Sequence, residues 1–236
     1  MKYNPIDATL SRIKSLAKTG NREGMARFGI RVDDAFGVSI YELRKIAKEL
    51  GTDHKLALGL WETGNHEARI LAGMIDDPDL VTETQMECWV RDFNSWDMCD
   101  QVCSNLFDRT KYAYKKSVEW TKRDEEFVKR AGFVLMAALS VHDKHAADSK
   151  FEKFLPIIER HATDERNFVK KAVNWALRQI GKRNAHLNKK AIDVAERFGK
   201  TESKAARWIA RDALKELRSD KVRKKLQHEG NTILNT

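Results

Sequence analysis

The sequence predicts an all-α fold, a HEAT-like helical repeat solenoid (an α-α superhelix) with a concave basic face. Three observations carry that expectation. First, a phrase is written twice: residues 127–132 read Phe-Val-Lys-Arg-Ala-Gly and residues 168–173 read Phe-Val-Lys-Lys-Ala-Val, an offset of 41. That offset falls within the roughly 40–47-residue period of two-helix repeats of this type. Second, apolar residues recur at helical spacing along nearly the whole chain, with few β-branched runs in strict alternation. Third, the chain has only three prolines, Pro5, Pro78 and Pro156, so its helices meet few obligatory breaks.

The elements follow in order. Helices are predicted over 6–18 and, more briefly, over 22–28. Segment 41–50 carries the stripe Leu43, Ile46, Ala47 and Leu50, and Ser39 with Glu42 fits a capping box ahead of it. Segments 54–63 and 66–75 come next, with Gly51 and Gly64 placed where helices stop. Thr82 with Gln85 fits a second capping box, for 82–92. Ser95 stands where it can cap 95–107, which puts Asp97 in the first turn, where the helix dipole favours a carboxylate. Segment 111–121 precedes the first copy of the repeated phrase. That copy, 125–140, follows Asp124-Glu125-Glu126 and carries the stripe Phe127, Ala131, Val134, Leu135 and Leu139. After 150–161 comes the second copy, 166–181, which follows Asp164-Glu165, carries Val169, Ala172, Val173, Leu177 and Ile180, and has Gly181 as its stop. Segment 187–198 and segment 203–218, capped by Thr201 or Ser203, complete the set. Short connections make neighbours antiparallel. The reading is one repeat domain over 1–236, with a polar, basic tail at 219–236 that frays.

Composition narrows the function. The chain has 44 Lys and Arg against 35 Asp and Glu, a net charge of +9. A surplus of this size favours a polyanion, because each neutralised phosphate releases condensed counterions; a protein that merely happens to be basic is the plainer alternative. There is no run of about 18 apolar residues, so no membrane span is expected, and the polar N-terminus lacks the apolar core of a signal peptide. Three cysteines, Cys88, Cys99 and Cys103, point to a reducing compartment, hence a cytoplasmic protein.

Three places carry candidate chemistry. In Asn94-Ser95-Trp96-Asp97-Met98-Cys99-Asp100, Trp96 and Asp100 are four residues apart and share a helix face; the plainer alternative is a structural Trp beside a capping Asp. Trp175, three residues before Arg178, offers a flat ring beside a phosphate contact, or else an interior Trp beside a surface Arg. Trp61, Trp89, Trp120 and Trp208 read as inter-helix packing. Lys129 and Arg130 in the first copy match Lys170 and Lys171 in the second, and equivalent positions line up in a solenoid. Lys182 and Arg183 lengthen that basic stripe, unless each is simply an ordinary solvated side chain. No metal site is read, since Cys99 and Cys103 lack companions at zinc spacing and His66, His142, His145 and His161 are scattered.

Together these residues resemble the DNA alkylation repair proteins of the AlkD type over roughly residues 22–200. The resemblance rests on Met25-Ala26-Arg27-Phe28, Gly37-Val38 with Leu43-Arg44, Ser95-Trp96-Asp97-x-x-Asp100, Lys129-Arg130-Ala131, and Lys171-Ala172-x-x-Trp175-x-Leu177-Arg178. It implies a DNA glycosylase built from HEAT-like repeats that excises positively charged N3- and N7-alkylated purines from duplex DNA. It implies no cofactor, no metal and no base flipping. By motif, Trp96, Asp100 and Trp175 form the cluster that holds the lesion deoxyribose, Arg130 contacts the backbone, and Asp97 and Arg178 support. Phe28 stands where better-known members have tyrosine, and Ser39 where they have glutamine. The expected partner is duplex DNA with alkylated bases, bound by a monomer with no obligate protein partner. Two other functions fit the same composition: a non-catalytic nucleic-acid-binding module and a protein-binding helical scaffold.

Overall fold

A computed structural model gives the fold. It describes residues 4–233, with side chains as far as Gln227. Among the described residues it is helical, with no strand. The helices fall into two compact units, Met1–Tyr112 and Ala113–Thr236.

The first unit runs α1 (Pro5–Ser15), α2 (Thr19–Arg27), α3 (Ile40–Leu50), α4 (His54–Glu62), α5 (His66–Ile75), α6 (Glu83–Arg91) and α7 (Trp96–Asn105), then a 3-10 turn at Phe107–Arg109. Its core gathers the apolar faces of α3 to α7: Leu43, Ile46, Leu60, Leu71, Ile75 and Met86 are all buried. Trp61 of α4 and Trp89 of α6 stack in parallel with ring centroids 3.9 Å apart, so these two rings serve packing, as expected.

The second unit runs α8 (Ala113–Glu119), a 3-10 turn at Trp120–Lys122, α9 (Glu126–His142), α10 (Asp148–Glu152), α11 (Leu155–His161), α12 (Asn167–Gly181), α13 (Ala185–Gly199), α14 (Lys204–Leu217) and α15 (Asp220–Ile233). The two copies of the repeated phrase lie on α9 and α12, and they meet. Phe127 and Phe168 face each other at 5.6 Å between centroids. Arg166 reaches from the second copy to the Asp124 carbonyl of the first (2.6 Å). The next layer repeats the move, with the Ala205 N–H of α14 donating to Glu165.

Several boundaries depart from the sequence reading, each for a local reason. The single helix expected over 150–161 is two, because Pro156 has no N–H to donate to the Glu152 carbonyl and its ring crowds that oxygen. Segment 111–121 tightens into a 3-10 turn, and Thr121 returns a hydroxyl bond to the Val118 carbonyl. Gly51 and Gly64 end helices with positive φ, and Gly181 ends one without it. It is the last residue of α12 and is buried, and a Cβ there would lie 2.7 Å from Leu217 and 2.9 Å from Ala191. Of the capping boxes, Thr82 accepts from the Gln85 N–H while the Gln85 side chain turns to Asp76. Ser39 makes no side-chain cap at all, and Glu42 pairs with Lys45 instead. Ser203, rather than Thr201, caps α14. The stretch after Ser219, expected to fray, forms α15 as far as Ile233 and buries Val222 and Leu226; residues 234–236 of that tail lie outside the described residues.

Candidate active site and surrounding cations

The start of α7 carries a polar network. Ser95 takes the N-cap position in an extended conformation, but its hydroxyl does not cap the helix backbone. It donates instead to Asp97 Oδ1 at 2.8 Å. Asp97 Oδ2 lies 2.9 Å from His66 Nε2. Burial pushes the Asp97 carboxyl up, but the bond and charge of His66, the Ser95 hydroxyl and the Met98 N–H outweigh it, so its pKa sits below the ordinary value. Asp97 is thus in the first turn as expected, as part of a buried network rather than a simple cap.

Trp96 and Asp100 flank that network, and both are half-buried. The Trp96 indole N–H donates to the Phe28 carbonyl at 3.0 Å, so one edge of the ring is anchored. Phe28 itself is 73% exposed, the most exposed large apolar side chain among the described residues. One turn further along, Cys103 is fully buried. Its thiol is pushed well up, first by burial, then by Cys99, and then by the charges of Asp100 and Asp108. It is held protonated and inert.

The first turn of α5 underlies this arrangement, and the sequence reading did not single it out. Asn65 caps α5 by accepting from the Ala68 N–H, and its amide donates to the Asp34 carbonyl. The His66 N–H donates to the same carbonyl. Glu67, 1% exposed, accepts the backbone N–H groups of Phe36, Gly37 and Val38 at 2.7–3.0 Å. Gly37 has φ 86°, which lets the chain turn all three donors toward one carboxylate. The only local signal for this was an Asn followed by an acid in the first turn. The contacts span about 30 residues and leave no periodic trace.

In the second unit, Trp175 is half-buried on α12 between Asn174, which is buried, and Ala176. The cations read as a stripe are mostly engaged within the protein. Lys129 and Arg130 are buried, and Arg130 donates to the Phe168 carbonyl at 2.6 Å, tying one repeat copy to the other. Lys170 lies over the Trp208 ring, 5.2 Å from its centroid. Arg178 pairs with Glu216 at 2.6 Å and Asp212 at 3.4 Å, and Lys182 with Glu216 at 2.6 Å. Burial raises the Glu216 carboxyl, but Lys182 and Arg178 more than offset that and its pKa is lowered. Arg183 spans the end of α9, donating to the carbonyls of Ser140, Lys144 and Ala146 with its guanidinium over Phe151. Lys171 is exposed. The acids of α14 that receive these cations, Asp212 and Glu216, were also missed; they sit 38 residues after Asn174 and Arg178, close to the repeat period.

Lys182 and Arg183 line a cleft of about 1150 Å³ whose rim also carries Lys144, Lys221 and Lys225. Among the described residues no group of three or more His, Cys, Asp or Glu side chains is placed to hold a metal ion. No helix there is long and apolar enough to cross a membrane.

The comparisons decide the family. The model of the DNA alkylation repair enzyme family matches residues 9–217. The chain belongs to that family. It is 24% identical to the uncharacterized protein Lin0241 of Listeria innocua over 170 residues, covering 71% of this chain and 74% of that one. The uncharacterized protein Lmo0209 of Listeria monocytogenes matches to the same extent. Among solved structures, the fold is similar to one from a new family of proteins related to the HEAT-like repeat DNA glycosylases with affinity for branched DNA structures. The TM-score is 0.75 at 22% identity, covering 88% of this chain and 93% of that one. The fold of this DNA alkylation repair family member is therefore the HEAT-like repeat fold.

Proposed function

We propose that this protein is a DNA glycosylase that excises positively charged N3- and N7-alkylated purines from duplex DNA without flipping the base. The observation that carries the reading is the start of α7, where a half-buried Trp96 and a half-buried Asp100 flank an anchored first turn in a chain of the DNA alkylation repair family.

The chemistry is coherent. A purine alkylated at N3 or N7 already carries positive charge and leaves readily, so strong general-acid help is unnecessary. Its departure builds positive charge on the deoxyribose. The Asp100 carboxylate stabilises that oxocarbenium-like charge, or holds and activates the attacking water. The faces of Trp96 and Trp175 add cation–π stabilisation. Most glycosylases extrude the base; here the deoxyribose and backbone are gripped instead. Of the seven cations of α9, α12 and the turn after them, Lys171 is exposed to meet a phosphate, Lys170, Arg178 and Lys182 reach one by leaving Trp208 or a carboxylate, and Lys129, Arg130 and Arg183 act from within by holding the repeat copies that carry the others. The same reading makes residues 1–236 one repeat domain, working as a cytoplasmic monomer without cofactor, metal or obligate protein partner.

A second reading, a non-catalytic module for branched DNA, is favoured by the branched-DNA affinity of the family of the structurally similar protein. One experiment separates them: free base released from a duplex carrying N7-methylguanine, measured beside binding to a four-way junction. Base release establishes the glycosylase. Tight junction binding with no release, repeated on N3-methyladenine, establishes the binding module.

A further inference from the structure

We propose that His66 is a positioning residue: through Asp97 it holds the first turn of α7, and with it Trp96 and Asp100, in working geometry. The inference rests on the glycosylase reading for its catalytic consequence, but its structural half stands alone.

Two sets of contacts support it. On the α7 side, His66 Nε2 meets Asp97 Oδ2 at 2.9 Å, and the fully buried Ser95 hydroxyl takes Oδ1 at 2.8 Å. Both oxygens of Asp97 are thereby assigned, so the carboxylate cannot rotate without breaking a bond. Trp96 precedes it directly and Asp100 lies just under one turn beyond, so fixing Asp97 fixes the direction in which both leave the helix. On the α5 side, His66 is itself immobilised. It is 3% exposed, its N–H bonds Asp34, and its neighbours Asn65 and Glu67 are bonded to the 34–38 segment. One helical turn thus ties that segment and α7 together.

The chemistry of the ring sharpens the role. Its Nδ1 is buried with no hydrogen-bond partner among the described residues. Nothing there asks for the proton on Nδ1, whereas Asp97 asks for it on Nε2, so the ring serves as an N–H donor from Nε2. A side chain that supplies such a donor can replace it; one that merely fills the space cannot.

The test compares His66→Gln, which can donate, with His66→Phe, which fills similar space without donating, alongside the parent and Asp100→Asn. Three quantities are read: single-turnover release of N7-methylguanine from duplex DNA, affinity for the same duplex, and hydrogen exchange at the amides of Cys99–Gln101 and of α3. In His66→Phe, release falls about 100-fold, the scale of a misplaced reacting group. Affinity stays at the parent value, exchange speeds up at Cys99–Gln101 and not in α3, and His66→Gln recovers most of the rate. Release at the parent rate in His66→Phe overturns the proposal. So does exchange that is unchanged at Cys99–Gln101, or that rises throughout the first unit, which would mark His66 as a general stability residue. If the parent releases no base, the glycosylase reading fails separately, and the exchange pattern still decides the positioning claim.

Discussion

Two regions of this protein use charge in opposite ways. At the meeting of α5 and α7, carboxylates are satisfied by groups of modest charge: Glu67 by three backbone N–H groups, Asp97 by a hydroxyl and a histidine. Along α12 and α14, full cations and anions meet in pairs, Arg178 and Lys182 with Glu216 and Asp212. The first arrangement fixes backbone: it sets where a loop turns and where a helix begins. The second joins side chains that remain partly solvated, and such pairs contribute little to stability because water screens them. The lesson is that a basic sequence does not by itself make a basic surface. Much of the positive charge expected to face DNA is spent holding one repeat to the next.

The comparison can be broken by substitution, beginning where the effect is largest. Glu67→Gln leaves three N–H groups facing a neutral, single-acceptor side chain. Since bonds to charged groups contribute about 1.5–3 kcal/mol each and the neighbours relax in part, we expect a loss of about 3 kcal/mol, read by chemical denaturation. A loss no greater than that of an exposed carboxylate variant would mean that the clamp is decorative. Trp96→Ala removes one ring face from a half-buried site that bound DNA would close over, and a cation–π contact desolvated in that way is worth about 2 kcal/mol. Base release should therefore slow about 30-fold while thermal stability stays near the parent. A matching fall in both would make Trp96 a packing residue.

Smaller effects sharpen the contrast between free and paired cations. Lys171→Gln should weaken duplex binding severalfold and lower the salt dependence by about one phosphate contact. Lys182→Gln, whose partner is Glu216, should change it less. Equal effects would show that the α12–α14 pairs open on DNA. The smallest effect concerns pH. The folded pKa of Asp97 lies below its ordinary 3.8, so the unfolded chain takes up its proton first on acidification. Asp97 therefore contributes stability that is complete above about pH 4 and is lost as pH falls through the lowered folded value. Asp97→Asn should flatten that acid limb in a urea titration; an unchanged limb would assign it to other carboxylates.

How much of this could be read from the sequence follows from the range of the interactions. The repeat was legible because equivalent residues recur at one offset, and Phe127 does meet Phe168. Thr82 and Ser203 were legible as caps because a cap is a contact over three residues. Ser95 was legible as the N-cap residue but not in its bonding, since its hydroxyl is claimed by a carboxylate that His66 fixes from another helix. The helix end at Gly181 was legible, but the close approach by Leu217 that requires a glycine there was not, because it leaves no mark in the local pattern. The partners of Arg178 and Lys182 were hidden for the same reason, lying one repeat away on α14.

The central claim, that Asp100 carries glycosylase chemistry beside an anchored Trp96, is tested most directly by Asp100→Asn. Single-turnover release of N7-methylguanine from duplex DNA is measured for parent and variant, with affinity for the same duplex alongside. The account predicts release by the parent, a fall of about 10²–10³-fold in the variant, and affinity nearly unchanged. Release by the variant at the parent rate would contradict it.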